Sequence, residues 1–543
     1  MSLNRRTFLQ QTGYAGLGLG LISLTPGCQT AKPSAPASGS LPRSTPEAQG
    51  VSSTGIQSFL DAIAKSNHEL HSFMMLRHGH VIAEGWWAPY GPEYVHTMYS
   101  MSKSFTSTAV GFAVAEGRLT VEDKVISFFP NDLPDKISDN LAALRVKDLL
   151  TMSVGNEKEP TGVTVASENW VKTFLAQPIT NKPGTVFLYN SAATYMCSAI
   201  VQKLTGQKIV DYLQPRLFAP LGITKATWEE CPRGINTGGW GLSVQTETLA
   251  KFGQLFLQKG KWNGRQIIPA AWVEEATSRH ILQTPPAKPA RPNDKNDWLQ
   301  GYGYQFWRSQ NGAYRGDGAF GQYTIVMPEQ DAVIVMTGES PNMQGELDLV
   351  WEHLLPSIKK MGEVKVMTDH LKKEPIQTFT NLRQTLSQLR LPHPKGEIGI
   401  DLSKLIGNGK FILKSNSLGF QNASFSIIPL SGRPLIEWYQ LTLTGSANDF
   451  SILTGLSKTT LPAPRIIRGG APKPGTEHRV LVGCVWKDDK TLEFIVRYYE
   501  TPHHETITCK FDGKKISISF LSSINKIRNA KDPRPVLEGE LIA

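Results

Sequence analysis

The chain reads as an α+β protein: an antiparallel sheet flanked by helices with a helical subdomain, followed by a C-terminal all-β domain. Three observations carry this reading. In the region 46–360, strand patterns come first and last with helical patterns between them, which is the order of a layered α+β domain. From about residue 400 the hydrophobic period changes to alternation of two. The length of 543 residues exceeds one ordinary core, so two or three domains are expected.

The N-terminal element is a targeting segment. Asn4-Arg5-Arg6-Thr7-Phe8-Leu9 precedes a mildly apolar, Gly-rich stretch from Gly13 to Leu24. This reads as a twin-arginine-type signal over residues 1–30, too short to span a bilayer stably. It predicts export, to the periplasm or envelope of a bacterium. Cys28 follows Leu24-Thr25-Pro26-Gly27, which resembles a lipoprotein box except at Thr25, and makes Cys28 a candidate lipid anchor. Residues 31–45, rich in Pro, Ser and Ala, form a linker.

Within 46–360, Ser72–Trp86 predicts two strands around a Gly79 turn. His78 and His80 flank that turn and read as part of a solvated hairpin rather than a metal pair. Ser100–Glu116 predicts a helix with Phe105, Ala109, Phe112 and Val114 on its apolar face and Gly117 as its cap. Residues 120–270 are mostly helical in pattern. Gln322–Pro328 and Ala332–Thr337 predict two strands joined at Pro328–Asp331. A helix from about Ile376 to Leu389 lies in a connecting segment, 361–399. In the β domain, 400–543, Thr491–Tyr499 is a strand, and Ile507, Cys509, Phe511 and Ile516, Ile518, Phe520 alternate about an Asp512-Gly513 turn.

Composition narrows the function classes. The net charge of +10 is spread thinly, and the absence of a Lys/Arg block argues against a nucleic-acid partner. Cys197, Cys231, Cys484 and Cys509 lack zinc-ligand spacing and read as free thiols, with Cys484–Cys509 the one pairing worth testing. His503-His504-Glu505 has ligand residue types but reads as a polar loop between strands. No Gly-x-Ser-x-Gly elbow or His-Glu-x-x-His helix occurs.

The chemistry centres on Ser100-Met101-Ser102-Lys103. Positions three apart on a helix are neighbours, so the Lys103 amine can reach the Ser100 hydroxyl. Burial would lower the lysine pKa and free it to act as a base. The same spacing occurs at Ser357/Lys360 and Ser523/Lys526 without matching surroundings. A second element, Pro183–Ser191, delivers Tyr189 and Ser191 ahead of an apolar helix. There a phenol close to positive charge would lose its proton more readily. A third, Arg315–Gln322, is a Gly-rich strand start where Gly318 and Ala319 admit a substrate closely and offer an N–H to an oxyanion. Trp240, in the run Gly238–Ser243, is a candidate pocket wall.

Ser100-x-x-Lys103, then Tyr189-Asn190-Ser191, then the Gly-rich strand start resembles the serine β-lactamase/penicillin-binding-protein superfamily. The resemblance is to its class C-like branch of esterases, D-amino-acid peptidases and 6-aminohexanoate-dimer hydrolase-like amidases. Arg43–Gly50, Glu116–Lys124, Leu149–Ser153 and Gly238–Ser243 support it, and it covers about residues 43–340. It implies a β-lactamase-like fold and two-step acyl transfer to an ester, amide or peptide-like small molecule, with no metal or organic cofactor. Ser100 would be the nucleophile, Lys103 and Tyr189 would share the base and acid roles, and backbone N–H groups of Ser100 and near Ala319 would hold the oxyanion. The sequence departs from the family at the third motif. Where many relatives have Lys-Thr-Gly or His-x-Gly, this chain has Asp317-Gly318-Ala319, so a cation for a substrate carboxylate is missing unless Arg315 substitutes. The expected protein is therefore an exported esterase or amidase. The alternative is a penicillin-binding-like sensor on the same scaffold that acylates slowly or not at all. Oligomeric state is left open.

Overall fold

The computed structural model describes residues 40–358, 375–392, 409–429, 437–445, 449–460 and 477–542. The signal segment, Cys28, most of the 31–45 linker and much of the 361–399 connection lie outside them.

The expected hairpin forms from β1 (Glu69–Arg77) and β2 (His80–Trp86), turning at Gly79 with φ 74°. β3 (Trp307–Arg308), β4 (Tyr314–Gly318), β5 (Gln322–Met327) and β6 (Ala332–Glu339) complete an antiparallel sheet of order β2-β1-β6-β5-β4-β3. The first strand pairs with the last, Phe73 facing Met336, which is why strand patterns bracket the region. β1 is apolar along most of its length because both faces are covered. Phe73 and Met75 pack in the cluster containing Ile56, Phe59 and Leu60 of α1 (Ser53–Lys65). Met74 and Leu76 pack in the cluster containing α2 (Ser102–Ala115), α3 (Ser191–Thr205) and α4 (Thr246–Leu257). The connecting helix forms as α5 (Pro375–Ser387), with Leu382 buried against the α1 side.

The C-terminal region is all-β, as its alternation predicts. Its strands are β7 (Lys410–Leu413), β8 (Phe420–Pro429), β9 (Glu437–Gly445), β10 (Asp449–Leu453), β11 (Gly455–Thr460), β12 (Glu477–Asp488), β13 (Thr491–Tyr498), β14 (His504–Asp512), β15 (Lys515–Ser522) and β16 (Leu537–Leu541). They form one antiparallel sheet of order β10-β9-β8-β7-β16-β15-β14-β13-β12-β11. The two edge strands are consecutive in the chain, so the sheet rolls until its edges meet, as in a barrel. Alternate residues such as Leu492, Phe494, Val496, Ile507, Phe511 and Ile518 fill its interior. Cys484 and Cys509 do not pair: β13 runs between their strands, and both are free thiols, as are Cys197 and Cys231.

The barrel is fastened to the first sheet at the approach to Ser100. Arg497 of β13 pairs with Glu69 of β1 at 2.5 Å. The turn after β13 accepts hydrogen bonds from Thr97 N to Glu500 O (3.0 Å) and from the Tyr90 hydroxyl to Thr501 O (3.0 Å). Among the described residues no helix is long and apolar enough to cross a membrane.

Candidate active site

Ser100 does not sit in the α-helix proper. Tyr99–Met101 form a 3₁₀ turn, and α2 starts at Ser102. Tyr99 is left-handed, with φ 48°, so the chain turns sharply before the helix and lifts Ser100 out of it. The Ser102 hydroxyl ties the turn by donating to Tyr99 O at 2.6 Å. Behind the turn, α2 is buried from Ser102 to Ala113. Several of its small hydroxyls return to backbone carbonyls, Thr106 to Gly238 O at 2.8 Å and Ser104 to Gln305 O at 2.9 Å, which helps a polar helix sit inside a core.

Lys103 is 1% exposed and is the second residue of α2. Its Nζ donates to Ser100 Oγ at 3.0 Å, to Ser191 Oγ at 3.0 Å and to Gly239 O at 2.6 Å. Burial pushes its pKa down to about 7, against the opposing pull of Glu159 and Asp317. The amine is therefore a base that is half unprotonated near neutrality.

Ser191 opens α3, whose N-cap Asn190 accepts from Ala193 N at 3.0 Å. The Ser191 N–H donates to Glu159 at 3.2 Å. Tyr189 lies two residues earlier, stacked on Trp307 with ring centroids 5.4 Å apart. The Lys103 Nζ is 4.8 Å from its ring centre. The expected easily ionised phenol is not found. Burial, reinforced by Asp317, raises the Tyr189 pKa, and the Ser100 hydroxyl and Arg315 only oppose this. Tyr189 is a neutral phenol that can give a proton rather than take one.

The third motif, expected as the start of a strand, instead ends one: Arg315–Gly318 belong to β4, and the hairpin turn into β5 follows. Glycines and charges alternate there, so they take opposite faces of the strand. Gly318 meets the nucleophile turn so closely that a Cβ on it would lie 2.1 Å from Met98 O and 3.1 Å from Met101 N. A Cβ at Gly316 would lie 2.4 Å from the Met101 sulfur. Ala319 follows in the hairpin turn leading to β5. On the other face Arg315 does not supply the missing cation. Its Nε binds Asp317 at 2.9 Å, its Nη1 binds Ser309 Oγ at 2.6 Å, and its guanidinium is buried 4.6 Å from the Trp298 ring centre. Trp240 is half-buried against Trp170, ring centroids 5.7 Å apart, on the residue next to the carbonyl that holds Lys103.

Sequence reasoning missed three participants. The Gly239 carbonyl is a backbone atom and leaves no residue-type signal. Glu159 sits in irregular chain but is the main negative charge that favours protonated Lys103. His503 lies in the turn between two strands, as expected, but is buried there: it is 3% exposed and bonds Tyr99 and Glu339. Among the described residues, Glu69, Glu339 and His504 lie close enough to hold a metal ion. Their ligand atoms are already engaged, Glu69 by Arg497 and Glu339 by both histidines.

The chain is similar to the 6-aminohexanoate-dimer hydrolase of Paenarthrobacter ureafaciens, 28% identical over 295 residues that cover 50% of this chain and 73% of that one. Among solved structures it is similar to the octameric penicillin-binding protein homologue from Pyrococcus abyssi, with 15% identity, 89% of this chain and 99% of that chain covered, and a TM-score of 0.46. It is also similar to a penicillin-binding protein homologue from Caulobacter crescentus, with 15% identity, 56% and 99% coverage, and a TM-score of 0.45. The Beta-lactamase family model matches residues 69–353, more than half of the sequence and the whole span from β1 to the helices after β6, and on that match the chain belongs to the beta-lactamase family.

Proposed function

We propose that this protein is an exported serine hydrolase that opens ester or amide bonds of small molecules through an acyl-enzyme on Ser100. One observation carries the reading: a buried Lys103 amine with its pKa near 7 lies 3.0 Å from the Ser100 hydroxyl. Neutral Lys103 takes the Ser100 proton as Oγ attacks the substrate carbonyl. The N–H groups of Ser100 and Ala319 receive the oxyanion at the junction of the nucleophile turn and β4. Tyr189, kept neutral by burial, hands a proton to the leaving alcohol or amine, with Ser191 Oγ and Lys103 Nζ restoring it. Water then attacks the acyl-enzyme with the same groups in reversed roles.

The substrate follows from the third motif. With Asp317 at that position and Arg315 buried and paired with it, the motif itself presents no exposed cation to a carboxylate beside the scissile bond. This favours neutral esters and linear amides over β-lactams and free-carboxylate peptides. The Paenarthrobacter relative, a 6-aminohexanoate-dimer hydrolase, is named for a linear amide. The paired arginines Arg5 and Arg6 support export to the periplasm or envelope, and Cys28 is the candidate anchor there.

A panel of p-nitrophenyl esters, p-nitroanilides and nitrocefin tests the reading. Ester or anilide turnover is expected to exceed nitrocefin turnover, and Ser100→Ala is expected to abolish it. Acylation by penicillin without turnover of any substrate would instead make the protein a penicillin-binding sensor.

A further inference from the structure

Among the described residues the barrel reaches the active site at the turn between β13 and β14 and, beside it, at Ser523–Ile527 after β15. The β13–β14 turn is stiff. His503 O accepts from Tyr498 N at 3.1 Å, and His503 N donates to Thr501 Oγ1 at 3.1 Å. It is also fastened to the strand that leads to the nucleophile, through Thr97 N and Glu500 O. His503 projects from it onto Tyr99, the residue before Ser100, and its Nε2 bonds the Tyr99 hydroxyl. The other ring nitrogen, Nδ1, lies 2.6 Å from Glu339 Oε1. Glu339 closes β6 and is also bound by His504 Nδ1 at 3.0 Å and by the Ser523 hydroxyl. The Glu339 carboxylate accepts from His503 Nδ1–H, and in that neutral tautomer Nε2 is the acceptor for the Tyr99 phenol, whose pKa burial raises.

The same histidine touches the other side of the oxyanion site. Phe320, which follows Ala319, is itself left-handed with φ 69°. Its ring packs edge-on against Tyr99 at 5.3 Å and against His503 at 4.9 Å. Ile524 and Ile527, beyond β15, complete this small cluster with Ala319. Two bulky residues thus hold left-handed conformations on either side of the groups that would receive the oxyanion. Bulky L-residues keep such conformations only where their surroundings over-determine them. Here one histidine from the barrel contacts both.

We propose that His503 is a positioning residue of the active site. By gripping the Tyr99 phenol and backing Phe320, it sets the peptide planes on which Ser100 and Ala319 present their N–H groups. The barrel is then part of the hydrolase rather than an appendage. The inference rests on Ser100 being the nucleophile.

The test compares Tyr99→Phe, His503→Phe, the double variant and His503→Gln, whose amide oxygen can replace Nε2 as acceptor. Burst kinetics on a p-nitrophenyl ester give the acylation rate and the substrate dissociation constant, and thermal melts give the folded fraction. Each Phe variant is expected to acylate about 10- to 100-fold more slowly per folded enzyme, because sub-ångström misplacement of reacting groups costs rates of this order. The substrate dissociation constant read from the concentration dependence of the burst should stay within about threefold, since binding contacts are intact. The double variant should be no slower than the slower single one, and His503→Gln should recover most of the rate. If His503→Phe does not fold, Tyr99→Phe decides alone, since it keeps every barrel contact but the hydroxyl. A wild-type acylation rate in Tyr99→Phe, or strictly additive losses in the double variant, overturns the inference. Ester turnover retained by Ser100→Ala would instead overturn the hydrolase reading beneath it.

Discussion

Replacing Lys103 by methionine is expected to lower kcat on esters about 1000-fold, the scale of a lost general base. Methionine fills the same volume in a site that is 1% exposed, so the melting temperature should hardly move. The sign of the stability effect also favours tolerance. The folded state holds this lysine with its pKa lowered to about 7, so its charge penalises folding in full below that pH and progressively less as pH rises toward the unfolded value. Methionine removes that penalty while leaving the Ser100 and Ser191 hydroxyls without their partner. The pH profile of the wild type supplies a second readout. Only neutral Lys103 can accept a proton, so kcat/KM should fall about tenfold per unit below a midpoint near 7. Glu159 holds the proton on Lys103, so Glu159→Gln should move that acid limb to lower pH. In Lys103→Met the limb should vanish.

The second large effect is at Gly318. Its missing side chain lets β4 lie against the nucleophile turn, and a Cβ there would stand 2.1 Å from Met98 O. Backbone, not a flexible side chain, is in the way, so Gly318→Val must drive the turn from the strand. Displacement of Ser100 by about 1 Å is expected to cut kcat/KM about 100-fold or more. Overpacking is expected to cost about 1–3 kcal/mol of stability as well. Gly117→Ala separates the two effects. Gly117 also has a positive φ, 67°, but nothing lies within 4 Å of a Cβ placed on it. That variant should lose about 1 kcal/mol of stability and keep full activity.

Much of this site was legible in the residue pattern, for reasons that mark what was not. The Ser100–Lys103 spacing survives because both residues lie within one helical turn, whether 3₁₀ or α. Tyr189 and Ser191 were placed by a turn followed by an apolar helix, which is local information. The alternation around Asp512-Gly513 likewise fixed a hairpin. What escaped depends on tertiary burial or distant chain. Tyr189 was expected to ionise easily, yet nothing local says that it is buried beside Asp317 and stacked on Trp307. Arg315 and Asp317 share a strand face, so their pairing was within reach of a period-two argument. The helix start was misplaced because Tyr99 turns left-handed, and its hydroxyl is held from 404 residues away.

The central claim is that Ser100 is the nucleophile. The measurement that tests it most directly is peptide mapping by mass spectrometry after trapping with a fluorophosphonate. The account predicts a single phosphonyl adduct on the peptide carrying Ser100, formed faster as pH rises through about 7 and absent in Ser100→Ala. An adduct on Ser191 or any other residue, or labelling that persists in Ser100→Ala, would contradict it.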